Sequence, residues 1–257
     1  MAGEPPLIAV FIDFENLALG VDQTRQKQFQ IQLVLQRLLQ KGRIVYKRAY
    51  CDWSRYRRYV TEFHAQGIEL VDIPQSKASG KNSADIRMVV DALELCYMKE
   101  HLDMFALVSG DSDFSPLAGK LKENNKRVIG CGVKSSSSDL LINNCDEFIF
   151  YDDLEERTQR APRARKRREG RSARETRQDE ALDILATTVQ SLEDDYDTVW
   201  GSMIKQTLKR LHPDFNETSH GFRNFTEFLE AAGRDGRLTI SYDEDKGNYR
   251  VQTSNDD

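Results

Sequence analysis

Leu7-Ile-Ala-Val-Phe-Ile-Asp13-Phe-Glu-Asn16-Leu17 decides the fold: six apolar residues run unbroken and then stop at an acid. An apolar run of strand length without polar alternation marks a strand buried on both faces of a sheet. An acid at its end then stands at the carboxyl edge of a parallel sheet, where open α/β folds hold their ligands. Two later stretches repeat the logic. Phe105-Ala-Leu-Val-Ser109-Gly110-Asp111-Ser-Asp113-Phe114 brings a second buried strand to a pair of acids. Lys81-Asn-Ser-Ala-Asp85-Ile-Arg-Met-Val-Val-Asp91 puts an acid in the first turn of a helix, behind Asn82 or Ser83 as N-cap.

Working outward, apolar runs predict strands at 7–13, 43–50, 68–73, 104–109, 127–133 and 147–151. Helical periodicity predicts helices at 26–40, 54–66, 83–99, 115–124 and 136–143. Short apolar strands alternating with amphipathic helices give a doubly wound α/β domain, a mostly parallel sheet flanked by helices. Gly42, Gly67 and Asn124-Asn125 follow helices, where a left-handed residue closes the last turn.

The chain has 257 residues, 39% hydrophobic and 31% charged, as expected of a soluble globular protein. No apolar stretch approaches the ~20 residues of a membrane span. The start, Met-Ala-Gly-Glu-Pro-Pro, lacks the basic and long apolar regions of a secretory signal, so the cytoplasm is the expected location. Cys51, Cys96, Cys131 and Cys145 form no CxxC pair, which favours reduced core thiols over zinc or disulfides.

The net charge of −5 conceals an uneven distribution. Residues 157–177 carry ten Lys+Arg against Glu169 and Glu175, whereas residues 178–257 carry 8 against 17 acids. Almost devoid of large apolar residues, the basic stretch cannot offset its ordering entropy and reads as a flexible linker, with room for some helix within it. Domains are therefore expected at 1–152 and 179–257, with 153–178 between them. In the second domain, helical patterns at 179–192, 198–211 and within 215–232 precede two alternating strands around Asp243-Glu-Asp-Lys-Gly247. Three helices and a hairpin make a small α+β winged helix.

Carboxylates converging on one sheet edge repel unless a cation neutralises them, and hard cations such as Mg²⁺ or Mn²⁺ take oxygen ligands of this kind. Asp13, Asp85, Asp111 and Asp113 are the candidate metal-binding and catalytic acids, which reads as a metal-dependent phosphodiesterase. Each also has a plain alternative. Asp13 or Asn16 can make an Asx turn, Asp85 can answer a helix dipole, and Asp113 can cap the helix near Ser115-Pro116. Asp91 lies roughly 240° around its helix from Asp85, so it reads as structural, paired with Arg87. Gly110 would let the backbone approach a ligand. Asn16, Ser109 and Lys81 are candidate substrate contacts, with Lys77 and the Arg55–Arg58 cluster around them. His64 and His101 read as packing or surface residues.

Phe-Ile-Asp13-Phe-Glu-Asn16, Lys81-x-x-x-Asp85 and Ser-Gly-Asp111-Ser-Asp113-Phe together resemble the NYN domain, a branch of the PIN-like nuclease superfamily that includes LabA-like proteins. The resemblance covers residues 7–150. It implies a PIN-like sheet, one or two Mg²⁺ or Mn²⁺ ions and hydrolysis of RNA phosphodiesters. Asp13, Asp85 and Asp111 match the family's metal-binding acids, with Asp113 in the same motif.

Val199-Trp-Gly-Ser-Met-Ile-Lys-Gln-Thr-Leu-Lys-Arg, His212-Pro-Asp-Phe-Asn-Glu and Gly221-Phe-Arg-Asn-Phe-Thr-Glu-Phe-Leu are similar to the OST-HTH or LOTUS domain. This likeness implies a winged-helix adaptor for RNA or a protein partner. Phe215, Phe222, Phe225 and Phe228 read as core, and Ser219–Arg223 as an exposed contact. Arg165, Lys166, Arg167 and Arg168 in the linker are candidate phosphate contacts. The resulting reading is an endoribonuclease acting on single-stranded or structured RNA. Its alternatives are a non-catalytic RNA-binding adaptor and a small-molecule phosphatase; against the latter, Asp13-Phe-Glu15 lacks a second Asp.

Overall fold

The apolar run at the N-terminus forms β1 (Leu7–Asp13), buried along all but its first residue. The computed structural model describes residues 4–23, 29–74, 83–160 and 173–254. After β1 come α1 (Phe14–Gln23), α2 (Ile31–Lys41), β2 (Arg43–Cys51), α3 (Arg57–Ala65) and β3 (Glu69–Asp72). Then follow α4 (Ser83–Met98), β4 (Met104–Val108), α5 (Ser115–Glu123), β5 (Arg127–Gly132), α6 (Asp139–Asn144), β6 (Glu147–Phe150) and α7 (Tyr151–Arg160). The six strands form one sheet in the order β3-β2-β1-β4-β5-β6, and every pairing is parallel. The domain is thus α/β with a PIN-like parallel sheet flanked by helices.

Strand alternation divides the interior into two cores. Ile8, Val10 and Ile12 pack with Leu17, Val34, Leu38, Phe63 and Tyr151, under the helices before β3 and the last one. Ala9 and Phe11 pack on the other face with Met88, Ala92, Leu117 and Leu141 of α4, α5 and α6. Each fully buried Val, Ile or Phe contributes about 1.5–3 kcal/mol.

Several elements depart from the sequence-based expectation. Helix α1 was not expected, although Phe14, Leu17, Ala18 and Val21 recur at i, i+3, i+4 and i+7 and are all buried. Helix α2 begins at Ile31 rather than at 26. Gly42 is extended, with φ −175°, so it does not close a helix in the left-handed region. It is glycine because a Cβ there would lie 2.4 Å from the Pro6 carbonyl oxygen, which accepts the Arg43 N–H. Gly67 and Asn125 do adopt positive φ. Most of helix α7 and the start of the next helix fall within 153–178, the stretch in which some helix was expected.

The chain divides into two compact units, one running Pro5–Ala161 and the other containing Pro162–Asp257. The second holds α8 (Ala173–Glu193), β7 (Val199–Trp200), α9 (Gly201–Leu211), α10 (Phe225–Arg234), β8 (Leu238–Asp243) and β9 (Asn248–Thr253). The three strands pair as β7-β9-β8. Residues 198–200 were expected to be helical; instead Val199 pairs with Val251 in the sheet. Phe228 is fully buried, and the rings of Phe215, Phe222 and Phe225 lie 4.9 to 6.1 Å from its ring. Arg237 ties the hairpin to α8 through Asp179 and Asp183. All four cysteines are free thiols. Among the described residues no helix is long and apolar enough to cross a membrane.

Candidate active site at the carboxyl edge of the sheet

The sheet winds outward from β1 through β2 to β3, and α4 then carries the chain back to β4 on the other side of β1. This reversal makes the crevice above the adjacent ends of β1 and β4 the place where such a sheet receives a ligand. Alternation then chooses the face. Asp13 follows Phe11 by two residues and Ser109 follows Leu107 by two, so both side chains fall on the α4 side.

They meet there. Ser109 Oγ donates to Asp13 Oδ2 at 2.8 Å and accepts the Asp111 N–H at 3.1 Å. Asn16, in the first turn of α1, accepts the Gly110 N–H on Oδ1 at 2.9 Å, and its own N–H reaches Asp13 Oδ1 at 3.4 Å. These bonds stitch the tips of β1 and β4 together. Phe14, next to Asp13, is locked by the rings of Trp53, Tyr56, Tyr59 and Phe63, 4.7 to 5.4 Å away. The Asp13 backbone therefore has little freedom to move. Ser109 is wholly buried, and both roles of its hydroxyl are spent inside the protein.

Asp85 stands half-buried in the first turn of α4, near enough for its charge to act on Asp13 and for that of Asp111 to act on it. Burial pushes the Asp13 carboxyl up to about 7, with the charges of Asp85 and Asp111 adding to the rise and the Ser109 hydrogen bond opposing it. Burial likewise pushes Asp85 up to about 6, reinforced by Asp111, Asp113 and Glu15. The three sequence motifs thus share one electrostatic field. Asp111 caps the short 3₁₀ turn Ser112–Phe114, its Oδ1 accepting the Asp113 N–H at 3.0 Å. Asp113 itself is exposed.

Among the described residues no group of three or more His, Cys, Asp or Glu side chains is arranged to grip a metal ion. Mg²⁺ does not require such a cage: it keeps several waters and is held by one or two carboxylates together with substrate phosphates. An all-carboxylate donor set suits a hard cation, and a cation would offset the repulsion that adds to the effect of burial on Asp13 and Asp85. The residues present fit the group.

Gly110 has a different reason from the one expected. A Cβ there would come within 2.5 Å of the Ser136 carbonyl oxygen and 2.8 Å of Ser137 Cα. The Ser138 N–H donates to the Gly110 carbonyl at 2.9 Å. The close approach is to the protein's own loop after β5. Lys77, Lys81 and Arg165, Lys166, Arg167 and Arg168 lie outside the described residues. His64 and His101 are exposed.

Glu15 was missed. It adds its charge to the field at Asp85 and pairs with Arg55 Nη1 at 3.1 Å, which also brings Arg55 near the edge. Helical spacing from Phe14 would have placed it in the first turn of α1. Asp91 is a buried junction: it accepts from Arg87 Nε at 2.8 Å, Arg48 Nη1 at 3.0 Å and Tyr50 OH at 3.0 Å. In the second unit, His220 stacks on Phe215 at 4.8 Å, and the Ser219 hydroxyl bonds the Asn216 carbonyl, so part of the expected contact is spent locally.

A parallel α/β domain with an acidic crevice where its winding reverses, followed by three helices and a hairpin, defines the class of protein. Residues 7–154 match the NYN domain, and residues 175–243 match the OST-HTH/LOTUS domain. The chain belongs to the NYN domain family, a PIN-like nuclease family. An uncharacterized protein of Methanocaldococcus jannaschii is 32% identical over 144 residues, 55% of this chain and 54% of that protein. The chain thus spans about half the length of the curated relative it matches. A crystal structure of a protein of unknown function from Vibrio parahaemolyticus is similar at a TM-score of 0.53 and 25% identity, covering 60% of this chain and 98% of that one.

Proposed function

We propose that this protein is a metal-dependent endoribonuclease whose C-terminal module recruits RNA or a protein partner. The observation that supports the reading is the Asp13–Ser109–Asp111 hydrogen-bond chain at the β1–β4 crevice, where burial raises Asp13 and Asp85 and the charges of neighbouring acids add to the rise. Asp13, Asp85 and Asp111 would hold Mg²⁺ or Mn²⁺, with Asp113 at the rim. A bound ion would supply a water of lowered pKa and positive charge for the departing oxygen. Ser109 fixes the rotamer of Asp13, and Asn16 fixes the turn that presents Asp111. Arg55, paired with Glu15, puts a positive charge at the same edge, which an RNA phosphate would meet. The basic run at 157–177 would tether RNA through phosphate contacts, with strong salt dependence.

A substrate panel tests the reading. Labelled single-stranded RNA, an RNA hairpin, DNA of the same sequence and a small phosphate ester are incubated with Mn²⁺, Mg²⁺ or EDTA. Internal cleavage of RNA, lost in EDTA, is expected. Hydrolysis of the small ester alone would favour a phosphatase. RNA bound but intact under every condition would favour the adaptor.

A further inference from the structure

Nine large apolar side chains stand exposed among the described residues, and four of them, Ile86, Val90, Tyr97 and Met98, belong to α4. Such a concentration on one helix is not the ordinary scatter of surface apolar residues. With ~100° per residue, Ile86, Val90, Leu93 and Tyr97 fall within about 60° of one another on a seam about 16 Å long. Ile86, Val90 and Tyr97 are 63%, 53% and 60% exposed, and half-buried Leu93 forms the floor. The opposite face, Met88, Ala92 and Cys96, is already in the core. Helix α4 therefore has two apolar faces and only one of them is packed. Spacing of i, i+4, i+7 and i+11 is that of a face which packs on another helix.

We propose that a second copy of this chain occupies the seam, with α4 against α4, antiparallel about a two-fold axis. Reversing the helix against itself sets Ile86 opposite Tyr97 and Val90 opposite Leu93 in a single register, which is the self-complementarity an isologous interface requires. The charges agree with the same register. Arg87 and Glu94 lie on one flank of the seam, about 20° apart around the axis. Reversal brings Arg87 of each copy beside Glu94 of the other. The existing bond from Arg87 to Asp91 is made through Nε, so the terminal guanidinium nitrogens can serve the second carboxylate. RNA is a poorer occupant, because the flank offers one arginine balanced by one glutamate.

The test is the mass of the full chain by sedimentation equilibrium. One helix pair is a small interface, so dimer is expected to accumulate at about 10–100 µM. Val90→Asp places two carboxylates near the axis and is expected to weaken association at least about 10-fold. Glu94→Arg is expected to weaken it in the same direction by setting two arginine pairs together. Leu19→Asp replaces another exposed apolar residue, 50% exposed on α1, and is expected to leave association unchanged. Circular dichroism checks that each variant is folded. A wild-type chain that stays monomeric throughout would overturn the proposal. So would a folded Val90→Asp chain that dimerises like wild type, or a Leu19→Asp chain weakened as much as Val90→Asp.

Discussion

Replacing Asp13 with Asn removes the group on which burial and repulsion converge, and in EDTA the folded protein is expected to gain stability. The folded carboxyl stands at about 7 against an ordinary value of 3.8. Holding it ionised therefore costs the folded state about 4 kcal/mol once the pH exceeds both values. Below 3.8 the group is protonated in folded and unfolded chains alike, and no penalty arises. Between 3.8 and about 7 the folded chain keeps a proton that the unfolded chain releases, so stability falls as pH rises. Asn cannot ionise and still offers an oxygen to the Ser109 hydroxyl. The expected gain is about 4 kcal/mol near pH 8 and about 2 kcal/mol near pH 5, both in EDTA. Urea unfolding read by Trp53 fluorescence, in a Trp200→Phe background, measures the N-terminal unit. Excess Mn²⁺ should then narrow the gap near pH 8, adding about 2.7 kcal/mol to the wild type at a hundredfold excess over its dissociation constant and little to the variant. An Asn variant no more stable than wild type near pH 8, or a gain that ignores pH, would refute the reasoning.

Other expectations separate structural from catalytic acids. Asp91→Ala takes the carboxylate acceptor from the buried Tyr50 hydroxyl and removes one of the two carboxylates on Arg48, and it should cost about 1–3 kcal/mol in urea unfolding, with cleavage per folded molecule unchanged. Gly110→Ala must push the Ser136–Ser137 backbone away, and it should cost about 1–3 kcal/mol and slow cleavage by displacing Asp111, as unfolding and single-turnover rates would report. Arg237→Ala removes the clamp on Asp179 and Asp183 and should lower the unfolding free energy of the C-terminal unit by about 2 kcal/mol, leaving the Trp53 transition in place.

The site was legible where chemistry and strand pattern coincide within a few residues. Asp13 ends an unbroken apolar run and Asp111 follows another after Ser109-Gly110, and a run of that kind specifies a central parallel strand with its acid at the edge. Elements that join without a turn were not legible. Helix α1 starts on the residue after β1, and α7 starts at Tyr151 directly after β6, with no Gly or Pro between them. Local punctuation carries the boundary signal, and here there is none. Contacts distant in sequence were also invisible. Asp91 finds Arg48 and Tyr50 more than 40 residues away, and Gly110 is held to glycine by Ser136 across another loop. Gly42 shows the same limit: its position after a helix suggested a left-handed cap, whereas the constraint is the Pro6 carbonyl.

Cleavage of a labelled RNA by the full chain in Mn²⁺, compared with Asp111→Asn under single-turnover conditions, tests the central claim most directly. The account predicts metal-dependent internal cuts by the wild type, abolished by EDTA, and a loss of at least about 100-fold in a variant that remains folded and still binds RNA. Equal cleavage by both proteins, or cuts that persist in EDTA, would contradict it.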